Sequence, residues 1–423
     1  MFKLKQINLS NSEKIYLLFN TQTTLPPLYS TLFILNTLKY KSESTQKTYI
    51  YSLKLWHDYW FEKHQETFCK YFYLNKNNPS LMIQEIDSFM LFLENNQKLD
   101  NKLIRLSKNE SLNYNTLSIR LRSVISFLEY LLNNHSHIHG QQISKEIIQY
   151  RSTLAQKSKI VTSLSVSNSK TKIFKSTSNF KSLTNEMKNA LYALIAPNVN
   201  PPLFKTPQAQ LRNFLMIHLL VDYGLRSGEL LLLTINSIKT DSNSKNTYLE
   251  ITETNDETDT RTSKPHIKNK YSVRHILLNP RDAEFLKMYM NNIRSKEATN
   301  NLLFLSLQQP YLPLSQSSLK KIFKIVNDAM KDKYPSFFDS SYIDSIDKIT
   351  PHVCRHTWAY LSLQYNYEKY KQTHTNNDAL TNAMDSLRKM AGWSLNSPMP
   401  LIYANRFISE HANSLNIERL KGG

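Results

Sequence analysis

Apolar positions recur with a helical period through most of the chain. From Ser44 or Thr45, either of which can cap a helix, Tyr49, Leu53, Trp56 and Trp60 follow one another at a spacing of three or four. That spacing puts them on one face. A second helix is predicted from Ile83 to Leu93. A third carries the stripe Leu117, Leu121, Val124, Leu128 and Leu131, with Arg120 and Arg122 off it. These stripes are core, and the basic residues between them (Lys47, Lys54, Arg120, Arg122) face either DNA or water. Residues 1–40 show no clean periodicity.

The second half repeats the helical pattern with one interruption. Helices are predicted from Leu183 to about Ala196, from near Pro207 to Asp222, over 282–295, over 317–331 and from Met384 to Ala391. Between Asn246–Thr252 and Ser272–Leu278 the period drops to that of an antiparallel hairpin. An acidic run (Glu253, Asp256, Glu257, Asp259) and a basic one (Lys264, Lys268, Lys270) lie between the two strands. The fold class is therefore mainly α with a small antiparallel β-sheet (α+β).

Composition narrows the partner. The chain of 423 residues holds 53 Lys and Arg against 34 Asp and Glu, a net charge of +19. Such an excess points to a polyanion, with nucleic acid ahead of a membrane surface. No apolar run is long enough to span a bilayer, and the N-terminus has no signal-peptide pattern. Cys69 and Cys354 offer neither metal-ligand spacing nor a disulfide framework, which fits a reducing cytoplasm. Between Glu146 and Glu186 there is no acidic residue but seven basic ones. With its serines and threonines this stretch reads as a flexible connector that suits a phosphate backbone. The organisation expected is an N-terminal extension (1–40), a helical domain (41–150), a basic linker (151–182) and a larger domain with a C-terminal tail (183–423).

Two short stretches carry candidate chemistry. In Tyr223-Gly-Leu-Arg-Ser-Gly-Glu-Leu-Leu231 a helix ends at glycine, Ser227 can cap the next helix, and Arg226 is displayed at the junction with Glu229 to hold it. In Thr350-Pro-His-Val-Cys-Arg-His-Thr-Trp358 proline suits the first turn of a helix. His352 and Arg355, three apart, share a face there, beside His356. A hydrogen-bond donor next to a permanent, fork-shaped cation suits a phosphate.

Taken in order, Gly-Leu-Arg-x-x-Glu-Leu, a lysine on a hairpin, His-x-x-Arg-His-Thr, Gly392-Trp393 and then Tyr403 resemble the tyrosine recombinases of the phage integrase family. The resemblance spans roughly residues 183–410, and the helical segment 44–135 is similar in pattern to the family's core-binding domain. It implies Arg226, His352, Arg355 and Trp393 around the phosphate and Tyr403 as nucleophile. It implies a lysine shortly before Arg274 as general acid; Lys268 and Lys270 both qualify, and Lys268 is preferred. His352 would donate a hydrogen bond to the phosphate and could also accept the tyrosine proton. Arg355 and Tyr403 lie farther apart than the family pattern has them. An insertion over about 364–380 accounts for this and brings Tyr365, Tyr367 and Tyr370 in as rival nucleophiles.

The activity implied is cutting and rejoining of double-stranded DNA through a 3′-phosphotyrosine, with no metal, ATP or other cofactor. The chain would work as a homo-tetramer on two DNA sites, its tail (Phe407–Leu420) packing on a neighbour, in a cytoplasmic, nucleoid-associated setting. The two domains would clamp the duplex. The alternatives are a type IB topoisomerase or a hairpin telomere resolvase with the same chemistry, and a non-catalytic DNA-binding protein on this scaffold.

Overall fold

The computed structural model describes residues 1–8, 14–78, 80–94, 114–134, 148–159, 182–243, 245–254, 258–261 and 263–421. The chain divides into two compact units, Met1–Lys175 and Ser176–Gly423. Both are mostly helical, with a small antiparallel sheet in each.

The first unit opens with a hairpin, β1 (Phe2–Asn8) and β2 (Lys14–Asn20), paired Phe2 to Asn20 through Asn8 to Lys14. Helices α1 (Leu28–Phe33), α2 (Glu43–His64), α3 (Phe68–Leu74), α4 (Ser80–Glu94), α5 (Tyr114–Asn134) and α6 (148–159) follow. Ser42, not Ser44 or Thr45, caps α2: its side chain accepts from the Thr45 N–H. Leu53, Trp56 and Trp60 are fully buried, as is every member of the α5 stripe to within 3%. Trp56, Trp60, Phe68, Phe89 and Phe127 form a continuous aromatic core.

The structure adds to two expectations here. The described residues of the N-terminal extension pack into the first unit. Phe2 packs on the ring of His57 at 4.9 Å, and Tyr16, Leu18 and Phe33 join the core. The proposed linker begins later than residue 151, because α6 runs to 159 with Leu154 fully buried. Arg151 donates to the Asn133 side chain and Lys157 pairs with Asp87. Lys159 ends α6 and is exposed, and the other four basic residues of that stretch, Lys170, Lys172, Lys175 and Lys181, fall outside the described residues.

The second unit begins with α7 (Asn185–Ile195), capped by Thr184, and α8 (Pro207–Asp222), capped by Thr206 with proline in its first turn. Then come the short α9 (Ser227–Leu232) and a three-stranded antiparallel sheet in order β3 (Ile238–Thr240), β4 (Thr247–Ile251), β5 (Arg274–Leu277). The predicted hairpin is β4–β5, registered Tyr248 to Leu277 through Ile251 to Arg274. Leu249 and Ile251 are buried between partly exposed neighbours, the period of two that betrays a strand.

Helices α10 (Pro280–Asn292) and α11 (Gln316–Lys333) close the main core. Helices α12 (Pro351–Lys371), α13 (Asn376–Ala391) and α14 (Met399–Lys421) build a second cluster from Trp358, Leu363, Tyr367, Ala383, Leu387, Tyr403 and Phe407. Residues 364–380, read from the sequence as an insertion, are the far half of α12, a turn and the start of α13. Tyr403 packs in the same cluster as these two helices.

Candidate active site

The junction between α8 and α9 sets the first arginine. Gly224 takes φ +63°, and a Cβ there would lie 2.1 Å from the indole of Trp358. Only glycine meets both demands. Arg226 itself, not Ser227, is the residue before the first turn of α9, and its N–H donates to Glu229 Oε2 at 3.0 Å. Its guanidinium donates to Glu229 Oε1 at 2.5 Å and to Ser272 Oγ at 2.9 Å. Arg274, the first residue of β5, reaches the same carboxylate at 3.0 Å, and Arg355 stands 3.8 Å from it. One buried carboxylate therefore holds three guanidiniums. Burial alone would raise the Glu229 carboxyl; Arg274 and Arg355, with the Arg226 N–H, outweigh burial and hold it below the usual range.

Helix α12 supplies the second half. Thr350 caps it through the Val353 N–H at 3.2 Å, and Pro351 occupies its first turn. Arg355, one turn on, is 5% exposed. It donates to the carbonyl of Gly224 and, at 2.6 Å, to that of Ala391. Its guanidinium lies 5.5 Å from the Trp393 ring centre and 5.8 Å from that of Trp358. Burial first and the nearby Arg226 cation second push Arg355 down to about 9, which leaves it cationic at neutral pH.

The turn after α13 is fixed by Gly392, at φ +61°. A Cβ there would press on the backbone of Tyr271 and Ser272 at 2.9 Å. Trp393 follows, and its ring lies parallel to that of Tyr403, 4° between planes and 6.1 Å between centres. Tyr403 is 2% exposed. Burial raises its hydroxyl well above the usual phenol range, and the Arg355 cation offsets part of that shift. The hydroxyl hydrogen-bonds His356 Nδ1, and His356 Nε2 meets His352 Nε2 at 2.8 Å.

One cavity of about 440 Å³ gathers these groups. Arg226, Lys268, His352, Arg355, Trp393 and Tyr403 all line it, together with Asn269 and His356. Every preferred candidate is therefore at one place. Lys270 is not in the lining; its ammonium sits 5.4 Å from the ring of Tyr271. The rival tyrosines are elsewhere on α12: Tyr365 is exposed, Tyr367 packs on Phe407, and Tyr370 shares a hydrogen bond with Ser386.

Sequence reasoning missed three parts. His356 was noticed but given no task, although it is the ring against the tyrosine hydroxyl. Asn269 accepts from the N–H and hydroxyl of Ser272, joining the lysine loop to Arg226. The Asn-x-x-Ser spacing ahead of β5 was the available signal. The same loop is anchored by a buried Asp259–Arg261 pair whose guanidinium also donates to the carbonyls of Leu231 and Leu314. Among the described residues no group of acidic, His or Cys side chains could hold a metal ion, and no helix is long and apolar enough to cross a membrane.

Residues 183–365 match the model of the phage integrase family. The match ends inside α12, so the positions of Trp393 and Tyr403 rest on the geometry above. No curated protein sequence matches the chain. Solved structures similar to it include XerH site-specific recombinase bound to difH substrate, at 17% identity over 96% of this chain and 90% of that one, with a TM-score of 0.49. The Tn1549 transposon integrase in complex with circular intermediate DNA shares 16% identity over 76% and 80%, with a TM-score of 0.44. The likeness that the comparisons establish is thus to the phage integrase family over residues 183–365, the stretch that holds Arg226, Lys268, His352 and Arg355.

Proposed function

We propose that the chain is a site-specific DNA recombinase that cuts and rejoins strands through a 3′-phosphotyrosine. The observation that carries this is the cavity in which Tyr403, two arginines, Lys268 and His352 converge. The Tyr403 oxygen attacks the phosphorus, the bond to the 5′ oxygen breaks, and Lys268 protonates the leaving oxygen. Charge grows on the nonbridging oxygens, where Arg226, Arg355 and His352 stabilise it at about 2–4 kcal/mol per preorganised donor. Trp393 holds the tyrosine ring by stacking. The ester conserves the energy of the broken bond, so attack by another strand's hydroxyl reverses the step and exchanges partners.

Double-stranded DNA is the partner, drawn by the net charge of +19. Tyr403 lies in its own chain's cavity, which supports cleavage in cis. A tetramer on two sites is supported by α14, which exposes Leu401, Ile402, Ile408, Ile417 and Leu420, while Phe407 packs at home against Tyr367.

The test is covalent trapping on nicked duplexes, with sequences selected from a randomised pool by tight binding to the full-length Tyr403→Phe variant. A protein–DNA adduct formed by the unaltered chain in chelator, and lost in Tyr403→Phe, is the expected result. An adduct that survives Tyr403→Phe, or none on DNA that binds tightly, overturns the proposal.

A further inference from the structure

The nucleophile has a problem that the phosphate-binding groups do not solve. Tyr403 is almost fully buried, and burial disfavours its ionised form. Attack on phosphorus needs the phenol proton to leave as the O–P bond forms. The side chain in contact with that hydroxyl is His356, one residue past Arg355 on α12 and not the histidine that the motif resemblance places on the phosphate.

The three groups form a line. The Tyr403 hydroxyl shares a hydrogen bond with His356 Nδ1, and His356 Nε2 is 2.8 Å from His352 Nε2. The two residues are four apart, one turn of α12, and their rings meet edge-on with centres 4.0 Å apart and 67° between planes. Two imidazole nitrogens at hydrogen-bond distance need one proton between them. If Nδ1 of His356 accepts from the phenol, its Nε2–H donates to His352, whose remaining proton sits on Nδ1. In this arrangement His352 Nε2 is already occupied by His356.

We infer that His356 is the proton acceptor for Tyr403 and that His352 takes the relayed proton, so that the pair carries the phenol proton away while His352 keeps a donor for the phosphate. Each step balances. The phenol proton moves to His356 Nδ1 as the Tyr403 oxygen bonds to phosphorus; the Nε2 proton of His356 passes to His352; the bond to the 5′ oxygen breaks, and that oxygen takes a proton from Lys268. On rejoining, the order reverses. The charged groups lining the cavity with the pair are Arg355 on α12, Arg226 beside α9 and Lys268 from the loop before β5, and the Glu229 carboxylate backs the two arginines. Spreading the proton over two rings places less charge on either one beside these cations.

The inference rests on the strand-transfer reading, and its test separates the two. Adduct formation on the selected nicked duplexes is timed across pH for the full-length chain and for His356→Ala. We expect His356→Ala to bind the DNA equally well but to react roughly 10²-fold more slowly. The gap should narrow as pH rises and hydroxide replaces the missing base. Placing 3,5-difluorotyrosine, a more acidic phenol, at position 403 should restore most of the loss. A purely structural contact would not respond to phenol acidity. His356→Gln, which keeps a hydrogen-bonding side chain but takes up no proton, should be as slow as His356→Ala, and it serves if the alanine variant fails to fold. Full speed in His356→Gln, or a loss equal at every pH and untouched by fluorination, overturns the relay while leaving strand transfer standing. No adduct from the unaltered chain overturns both.

Discussion

Each unit buries one glutamate at the centre of a polar network, and the two networks are built to different charge balances. In the first unit Glu85 accepts from the Tyr59 hydroxyl and from Lys63 at 2.7 Å, with His64 at 3.5 Å. Burial lowers the affinity of His64 for a proton, so one carboxylate meets one cation. In the second unit Glu229, 1% exposed, meets Arg226, Arg274 and Arg355. One negative charge against three positive ones leaves the site with about two unmatched positive charges. A closed network holds a fold together. An open one is costly to the free protein and is relieved by an anion, which is what a phosphodiester supplies.

The largest expected effect tests whether Glu229 is the keystone. Glu229→Gln leaves three guanidiniums close together without a counter-charge and should lower the stability of the second unit by about 3–5 kcal/mol, read from urea unfolding. Its pH dependence has a definite sign. The folded-state affinity of Glu229 for protons lies below the unfolded one. Its contribution is therefore complete above the ordinary glutamate range, near 4.3, and is lost as pH falls from there through the lower folded value. Glu229→Gln should flatten that acid limb.

Next comes the open charge itself. Arg226→Lys keeps the charge but loses the fork, and should slow adduct formation roughly 10²–10³-fold while the melting temperature hardly moves. Equal loss of stability and rate would mean that Arg226 is structural, like Lys63. Lower in the order, Glu85→Gln should cost about 1–3 kcal/mol in the first unit, with the cleavage rate on saturating DNA unchanged. The smallest effect is expected at Lys270→Ala, within about 0.5 kcal/mol in stability and near-neutral in rate. Lys268→Ala, one cavity wall away, should lose roughly 10²–10⁴-fold. Reversed lysine effects would move the general acid to Lys270.

These contrasts also show what could be read without coordinates. The α5 stripe was legible because a helix with one buried face writes its period into the chain. The order of Arg226, His352, Arg355, Trp393 and Tyr403 was legible because each sits at a forced local feature, such as a glycine with positive φ or a proline-opened helix. Strand β2 was not, since Ile15, Tyr16, Leu17 and Leu18 are all buried and a strand covered on both faces shows no alternation, and the short alternation of Phe2, Lys3, Leu4 and Lys5 in β1 was overlooked without it. Nor was α3, seven residues long and too short for a period to emerge. At the site, the sharing of Glu229 among three arginines joins positions 126 residues apart in sequence, from 229 to 355. Nothing in the spacing of charges along a chain announces such a meeting.

Arg355 closes the last carbonyls of two helices at once: that of Gly224, just past α8, and that of Ala391, which ends α13. The group that would grip the DNA phosphate is therefore also a splice between the two hydrophobic clusters of its domain. Losing this side chain would therefore remove two backbone contacts together with the cation, so a change made for chemistry at this position is also a change to the packing of α12 between its neighbours.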